Sequence, residues 1–145
     1  MYNGKKKGEI AMNKDDRMPS ESEWQIMEVM WAQGGTMTSA QVIDALRNRG
    51  GEPMSDKMVR VLMNRLCAKG LLDHTQDEKD ARVYHYRVLA SRKDCEKEKS
   101  KSFIKNYFSG HGNGAVAALL QTTDLTSEEI DELEKLLEKK RKKEV

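Results

Sequence analysis

Residues 55–70 read SDKMVRVLMNRLCAKG, one amphipathic helix closed by a glycine. At about 100° per residue, Val59, Leu62, Met63 and Leu66 gather on one side of that helix. Lys57, Arg60, Val61 and Asn64 gather on the other. Ser55 is an N-cap residue by type, and Gly70 stands where a left-handed residue closes a helix. The apolar stripe must meet a core, so the opposite face is presented to solvent or to a ligand. Lys57 and Arg60 lie in the first turn and a half, where a cation opposes the helix dipole. Anionic groups outside the protein would offset that local cost.

The segments on either side say what the helix is part of. Upstream, SESEWQIMEVMWAQGG sets Trp24, Met27, Met30 and Trp31 at helical spacing, with Ser20 and Glu23 spaced as a capping box and Gly34 and Gly35 as terminators. Thr38 and Gln41 open a second capped helix to about Asn48, carrying Val42, Ala45 and Leu46 inward, and GGEP breaks it. Downstream of Gly70 the period changes from 3.6 towards 2. LLDHTQ and RVYHYRVL bracket the polar turn DEKDA, so the reading is a two-stranded hairpin. Three helices and a hairpin, with a short strand at Thr36 and Met37, are the order of a winged helix-turn-helix.

A further helix begins at Ser91 and Asp94; its first half is polar nearly all round, as in a helix crossing solvent between packed units. Its second half carries a seam of Phe103, Ile104, Tyr107 and Phe108. SGHGNG interrupts as a terminator, and AVAALLQ supplies Val116, Leu119 and Leu120. The last helix starts at a capping box, Thr126 to Glu129, and lines up Ile130, Leu133, Leu136 and Leu137, with Asp131 and Lys135 spaced as an i,i+4 pair. These stripes exceed what three short helices bury among themselves. A second copy of the chain is the expected cover. The fold class is therefore mainly α, of the α+β kind: residues 1–18 a disordered tail, 19–90 a winged-helix DNA-binding domain, and 91–145 a helical dimerisation domain.

Composition excludes several alternatives. In 145 residues, 26 basic and 24 acidic side chains nearly cancel, so any preference for a charged partner depends on where the charges sit. Cys67 and Cys95 stand alone, with no CxxC around either, so neither a disulfide framework nor a thiolate metal site is signalled. His74, His85 and His111 are scattered, and no nucleophile sits in a catalytic setting. No metal, cofactor or catalytic residue is expected. Nothing approaches the run of about 18 apolar residues of a membrane span, and MYNGKKKGEIAMNKDDR lacks the plan of a signal peptide. The expected location is the cytoplasm, with no membrane association.

In helix-turn-helix geometry the second helix of the motif lies in the major groove with its N-terminal residues at base edges. Arg60 suits a bidentate contact to guanine, and Val61 or Met58 suits a thymine methyl. Asn64 shares that face, while Lys57, Arg65 and Lys69 suit bases or phosphates. Lys79 and Arg82 give the hairpin a cationic tip able to reach a phosphate or the minor groove.

The blocks PSESEWQIMEVMWAQGG, TSAQVIDALRNRG, SDKMVRVLMNRLCAKGLL, ARVYHYRVLASRKD and DLTSEEIDELEKLL, in this order, resemble the penicillinase repressor family of the BlaI and MecI type, related to the CopY copper repressors. The resemblance covers about residues 19–140. It implies a homodimeric repressor with a winged helix on each half of a palindromic operator and a C-terminal helical domain joining the copies. It implies DNA contacts at Lys57, Met58, Arg60, Val61 and Arg65, with Met58 and Val61 where threonines are common. Relief of repression by a sensor protease at an Asn-Phe bond is known in the β-lactam branch, but Ala118 and Leu119 occupy the aligned positions. Copper sensing is not implied, because no cysteine follows Cys95. The rival from another class is a protein-interaction module that uses the helices after Ser100, its basic face merely solvated.

Overall fold

The computed structural model describes residues 17–143. They fall into two compact units, the first ending at Ser102 and the second beginning at Phe103. Of the expected tail, residues 1–16 lie outside the described residues; at Met18 the chain already packs against the core of the first unit.

Helix α1 spans Glu21–Gln33 and starts as its spacing predicts. The Ser20 hydroxyl accepts the Glu23 amide, the Glu23 carboxylate accepts the Ser20 amide, and Gly34 ends the helix at φ 78°. Helix α2, Ser39–Arg49, carries the second reciprocal box, between Thr38 and Gln41. Helix α3, Asp56–Ala68, is capped by Ser55, whose hydroxyl accepts the Met58 amide. Its other end is a Schellman motif: Gly70 at φ +79° lets its own amide reach the Cys67 carbonyl and the Leu71 amide reach the Leu66 carbonyl. That turn aims the chain straight into the first strand.

Strands β1, Leu72–Gln76, and β2, Tyr84–Val88, pair antiparallel with Leu72 opposite Val88 and Gln76 opposite Tyr84. Met37 adds the expected third contribution, exchanging two backbone hydrogen bonds with Tyr86 at 2.9 and 2.8 Å. The architecture is a winged helix-turn-helix.

Its core is built from one stripe of each element. Ile26, Met27 and Met30 of α1, Val42 of α2, and Val59, Leu62, Met63 and Leu66 of α3 are buried, with Leu72 and Tyr86 from the sheet. Each side chain so enclosed contributes roughly 1.5–3 kcal/mol. Trp24 and Trp31 pack edge to face beside this core at 5.3 Å, and the Trp31 indole donates to the Ala90 carbonyl, tying the end of the hairpin to α1.

Helix α4 spans Arg92–Phe108, its start capped by the Ser91 hydroxyl. Within the first unit its Cys95 is part of the core, although the surrounding sequence is polar. In the second unit, Phe103 stacks with Tyr107 and Phe108, each at 5.5 Å. Helix α5, Gly112–Thr122, begins inside the segment read as an interruption. Only Ser109, Gly110 and His111 break the helical path, because two successive left-handed residues suffice to turn the chain. Helix α6, Ser127–Lys143, starts at the reciprocal Thr126 and Glu129 box. The ion pair expected between Asp131 and Lys135 does not form; Glu138 and Arg141 approach at 3.9 Å instead. Exposed helical charges are held weakly enough for solvent to decide.

Among the described residues, one polar residue lies inside the core. Glu23 is 1% exposed, and its carboxylate accepts from the ammonium of Lys69 at the C-terminal end of α3. Burial pushes the Glu23 carboxyl up, but the Lys69 ammonium and the Ser20 amide and hydroxyl outweigh it and hold the group below its ordinary value. A depressed native value contributes stability that is complete above the unfolded carboxylate range and is lost as pH falls through the native value. Glu23→Gln keeps a capping side chain but strands the ammonium. We expect it to lower unfolding free energy at neutral pH by about 3 kcal/mol. Denaturant titrations should also show a shallower acid limb than wild type. Equal midpoints for the two proteins at pH 7 would disprove the role given to this pair.

Candidate nucleic-acid interface

With its inner stripe in the core, α3 turns Lys57, Met58, Arg60, Asn64 and Arg65 outward, all exposed, with Val61 half-buried among them. Among the described residues, no ion pair engages Lys57, Arg60 or Arg65. These six residues, each named from the sequence, therefore make one continuous surface that is cationic and partly apolar. Arg60 also borders a recess of about 400 Å³ between α2 and α3, lined by Ala40, Gln41, Ile43, Asp44, Arg47 and Asp56. Its charge reaches the sheet as well. Burial raises the Tyr86 phenol above its usual value, and Arg60 pulls against that rise.

Lys69 is not part of this surface, contrary to the sequence reading. Its ammonium donates to the Glu23 carboxylate and, at 3.1 Å, to the Met18 carbonyl. A lysine one turn beyond the exposed stripe was drawn inward because a carboxylate distant in sequence needed a partner.

The tip of the hairpin is a folded turn. The Asp77 carboxylate accepts the Lys79 and Asp80 amides, both at 3.0 Å, and bonds His85 Nε2 at 2.8 Å. Lys79 and Arg82 are both exposed there. Arg82 donates through Nε and Nη2 to Asp80, each at 3.1 Å, with 90% of its side chain accessible. Such a pair is worth little in water and can be exchanged for another anion. On the strands, Asp73 and Arg87 form a bidentate bridge at 2.7 and 2.8 Å.

The structure adds residues that the sequence did not single out. Arg47, in the last turn of α2, donates to Asp56, the first residue of α3, at 2.7 Å. Nothing in the spacing announces this bond, since the intervening GGEPMS loop sets the distance. Burial pushes both cysteine thiols up, with Asp73 adding to the effect at Cys67 and Asp94 at Cys95. Among the described residues no group of His, Cys, Asp and Glu is placed to hold a metal ion, and no helix is long and apolar enough to cross a membrane.

In the second unit, the residues read as a dimerisation surface remain largely uncovered. Phe103, Tyr107, Val116, Leu119, Leu120, Ile130, Leu133, Leu136 and Leu137 are exposed, while Ile104 and Phe108 are half-buried. Ala115 alone is buried among the described residues from Phe103 onward.

The family described as penicillinase repressor matches residues 19–139. The chain belongs to the penicillinase repressor family. It is 32% identical over 127 residues to the penicillinase repressor of Bacillus licheniformis, a match covering 86% of this chain and 94% of that one. It is 30% identical over 121 residues to the methicillin resistance regulatory protein MecI of Mammaliicoccus sciuri, covering 83% and 94% respectively. A solved DNA-binding domain of the repressor BlaI aligns over 52% of this chain and 84% of its own, with 27% identity and a TM-score of 0.43.

The wing turn of this family member gives a measurable signature. The His85 ring bond and the two backbone amides hold the Asp77 carboxyl below the ordinary aspartate range. The turn's stabilisation is thus present above that range and lost as pH falls through the depressed value. In an NMR titration the Lys79 and Asp80 amide resonances should shift together, with a midpoint below that of a free aspartate. Asp77→Asn should abolish the shift. A midpoint in the ordinary range would mean that the turn is not organised by Asp77.

Proposed function

We propose that the protein is a dimeric, sequence-specific transcriptional repressor. Each copy sets α3 in the major groove of one half of a two-fold symmetric DNA operator. The observation that carries this reading is the outward face of α3, where Lys57, Arg60 and Arg65 have no ion pair among the described residues, on a helix rooted by four buried side chains. Family membership supports it, since relatives matched over 94% of their own length are named as a repressor and a resistance regulator.

The chemistry divides along the helix. Arg60 presents a planar fork to guanine O6 and N7, Met58 and Val61 supply apolar contact for a thymine methyl, and Asn64 extends the readout. Lys57 and Arg65 flank them as phosphate contacts, which position without reading sequence. At the wing, Lys79 is available to the backbone, and Arg82 trades Asp80 for a phosphate. The exposed apolar side chains of α4, α5 and α6 are the surface for a second copy; Tyr107 is 75% accessible, and Leu136 and Leu137 are each 58% accessible. A two-fold dimer then spaces the two α3 helices by about 34–36 Å or a multiple of that distance. Should a sensor protease act on this chain, the position aligned with the family's cleavage site is the Ala118-Leu119 bond inside α5. Such an enzyme would have to accept a different residue pair in a helical segment.

Mobility-shift titrations against genomic fragments should show discrimination well above non-specific binding. A protein-interaction module would show none. Arg60→Ala should cost about 1–3 kcal/mol and relax preference at one base pair per half-site, whereas Lys57→Ala should lower the salt slope by about 1 with sequence choice intact. Unchanged affinity and base preference in Arg60→Ala would refute the docking.

Assembly is tested separately. Leu136→Glu places a charge in the apolar stripe and should sediment as a monomer at concentrations where wild type is dimeric. It should also bind a full operator more weakly than wild type. Identical sedimentation of the two proteins would remove α6 from the interface.

A further inference from the structure

The recess between α2 and α3 brings two guanidinium groups and two carboxylates together. Arg47 and Asp44 come from α2, and Asp56 and Arg60 from α3. Asp56 and Arg60 are four residues apart with the acid N-terminal, a favoured pairing on a helix surface. Yet Asp56 bonds Arg47 at 2.7 Å, and among the described residues the Arg60 guanidinium has no ion pair or hydrogen bond. Asp44 borders the same recess and likewise forms no ion pair there.

We propose that Arg47 is a positioning residue for base readout: by engaging Asp56 it keeps that carboxylate from capturing Arg60, whose guanidinium stays available to DNA. This rests on the repressor reading, in which Arg60 contacts a base. An acidic residue at the first position of α3 suits the helix dipole, but it places a negative charge one turn before the reading arginine and beside the phosphates. Arg47 resolves that conflict from the neighbouring helix. The bond is on the surface, with 65% and 47% of the two side chains accessible, so it contributes little to folding and its loss leaves the domain intact.

The test uses the full chain and a duplex selected by the wild-type protein from a random pool, with binding followed by fluorescence anisotropy. Arg47→Ala should weaken binding about fivefold and reduce discrimination at the base pair read by Arg60, with the thermal midpoint unchanged. Adding Asp56→Asn should restore both to within about twofold of wild type. In an Arg60→Ala background, Arg47→Ala should change affinity by less than about twofold, since nothing remains to protect.

Other results decide against the proposal. If Arg47→Ala/Asp56→Asn stays as weak as Arg47→Ala, and the salt slope falls by about 1, Arg47 is a direct phosphate contact. If Arg47→Ala binds and discriminates as wild type does, the pair is inert. If the wild-type pool shows no sequence preference at all, the repressor reading itself fails, and this inference fails with it.

Discussion

The first unit depends on the orientation of α3, which burial leaves no freedom to change. Val59, Leu62, Met63 and Leu66 are all under 4% exposed. Rolling the helix forward by one position would carry Arg60 and Asn64 into the core and Leu62 and Leu66 out of it. Burying an unpaired guanidinium costs far more than any surface contact returns. The Schellman turn at Gly70 and the Lys69 bond to Glu23 fix the other end, so the helix can neither roll nor slide. Its exposed face is a consequence of what lies beneath it.

Charge is sorted around that face. The arginines of the hairpin and of the start of α4 have acidic partners, whereas Lys79 at the wing tip has none among the described residues. Arg87 bridges Asp73, Arg82 bridges Asp80, and Arg92 reaches both Glu28 and Glu96 while lying 5.6 Å over the Trp31 ring. On α3, Lys57, Arg60 and Arg65 are left unmatched among the described residues. A net charge of +2 conceals this contrast, because paired surface charges contribute little field and unpaired ones supply most of it. Arg47 and Asp56 belong to the same scheme, with a carboxylate occupied beside a cation left open.

The second unit poses the opposite problem. Helices α5 and α6 carry regular apolar stripes, and among the described residues almost nothing covers them. A solitary copy would leave leucines and aromatics in water at positions spaced for helix packing. That arrangement is unfavourable for a monomer and ordinary for one half of a symmetric interface.

Much of this was legible in the residue order because the relevant bonds are local. Capping boxes at Ser20, Thr38 and Thr126, the Ser55 cap, and the αL residues Gly34 and Gly70 all depend on groups within a few residues of one another. The inner and outer faces of α3 follow from the helical period. Tertiary structure alone decided which charged side chains met across the chain. Lys69 looked like part of the basic face and became the partner of Glu23, 46 residues away. Arg47 found Asp56 across a glycine turn, and Cys95 entered the core from a polar segment. Local pattern sets the direction of a side chain relative to its own helix; only the packing of helices against each other sets which distant group stands within hydrogen-bonding reach, and that distance is written in no short stretch of sequence.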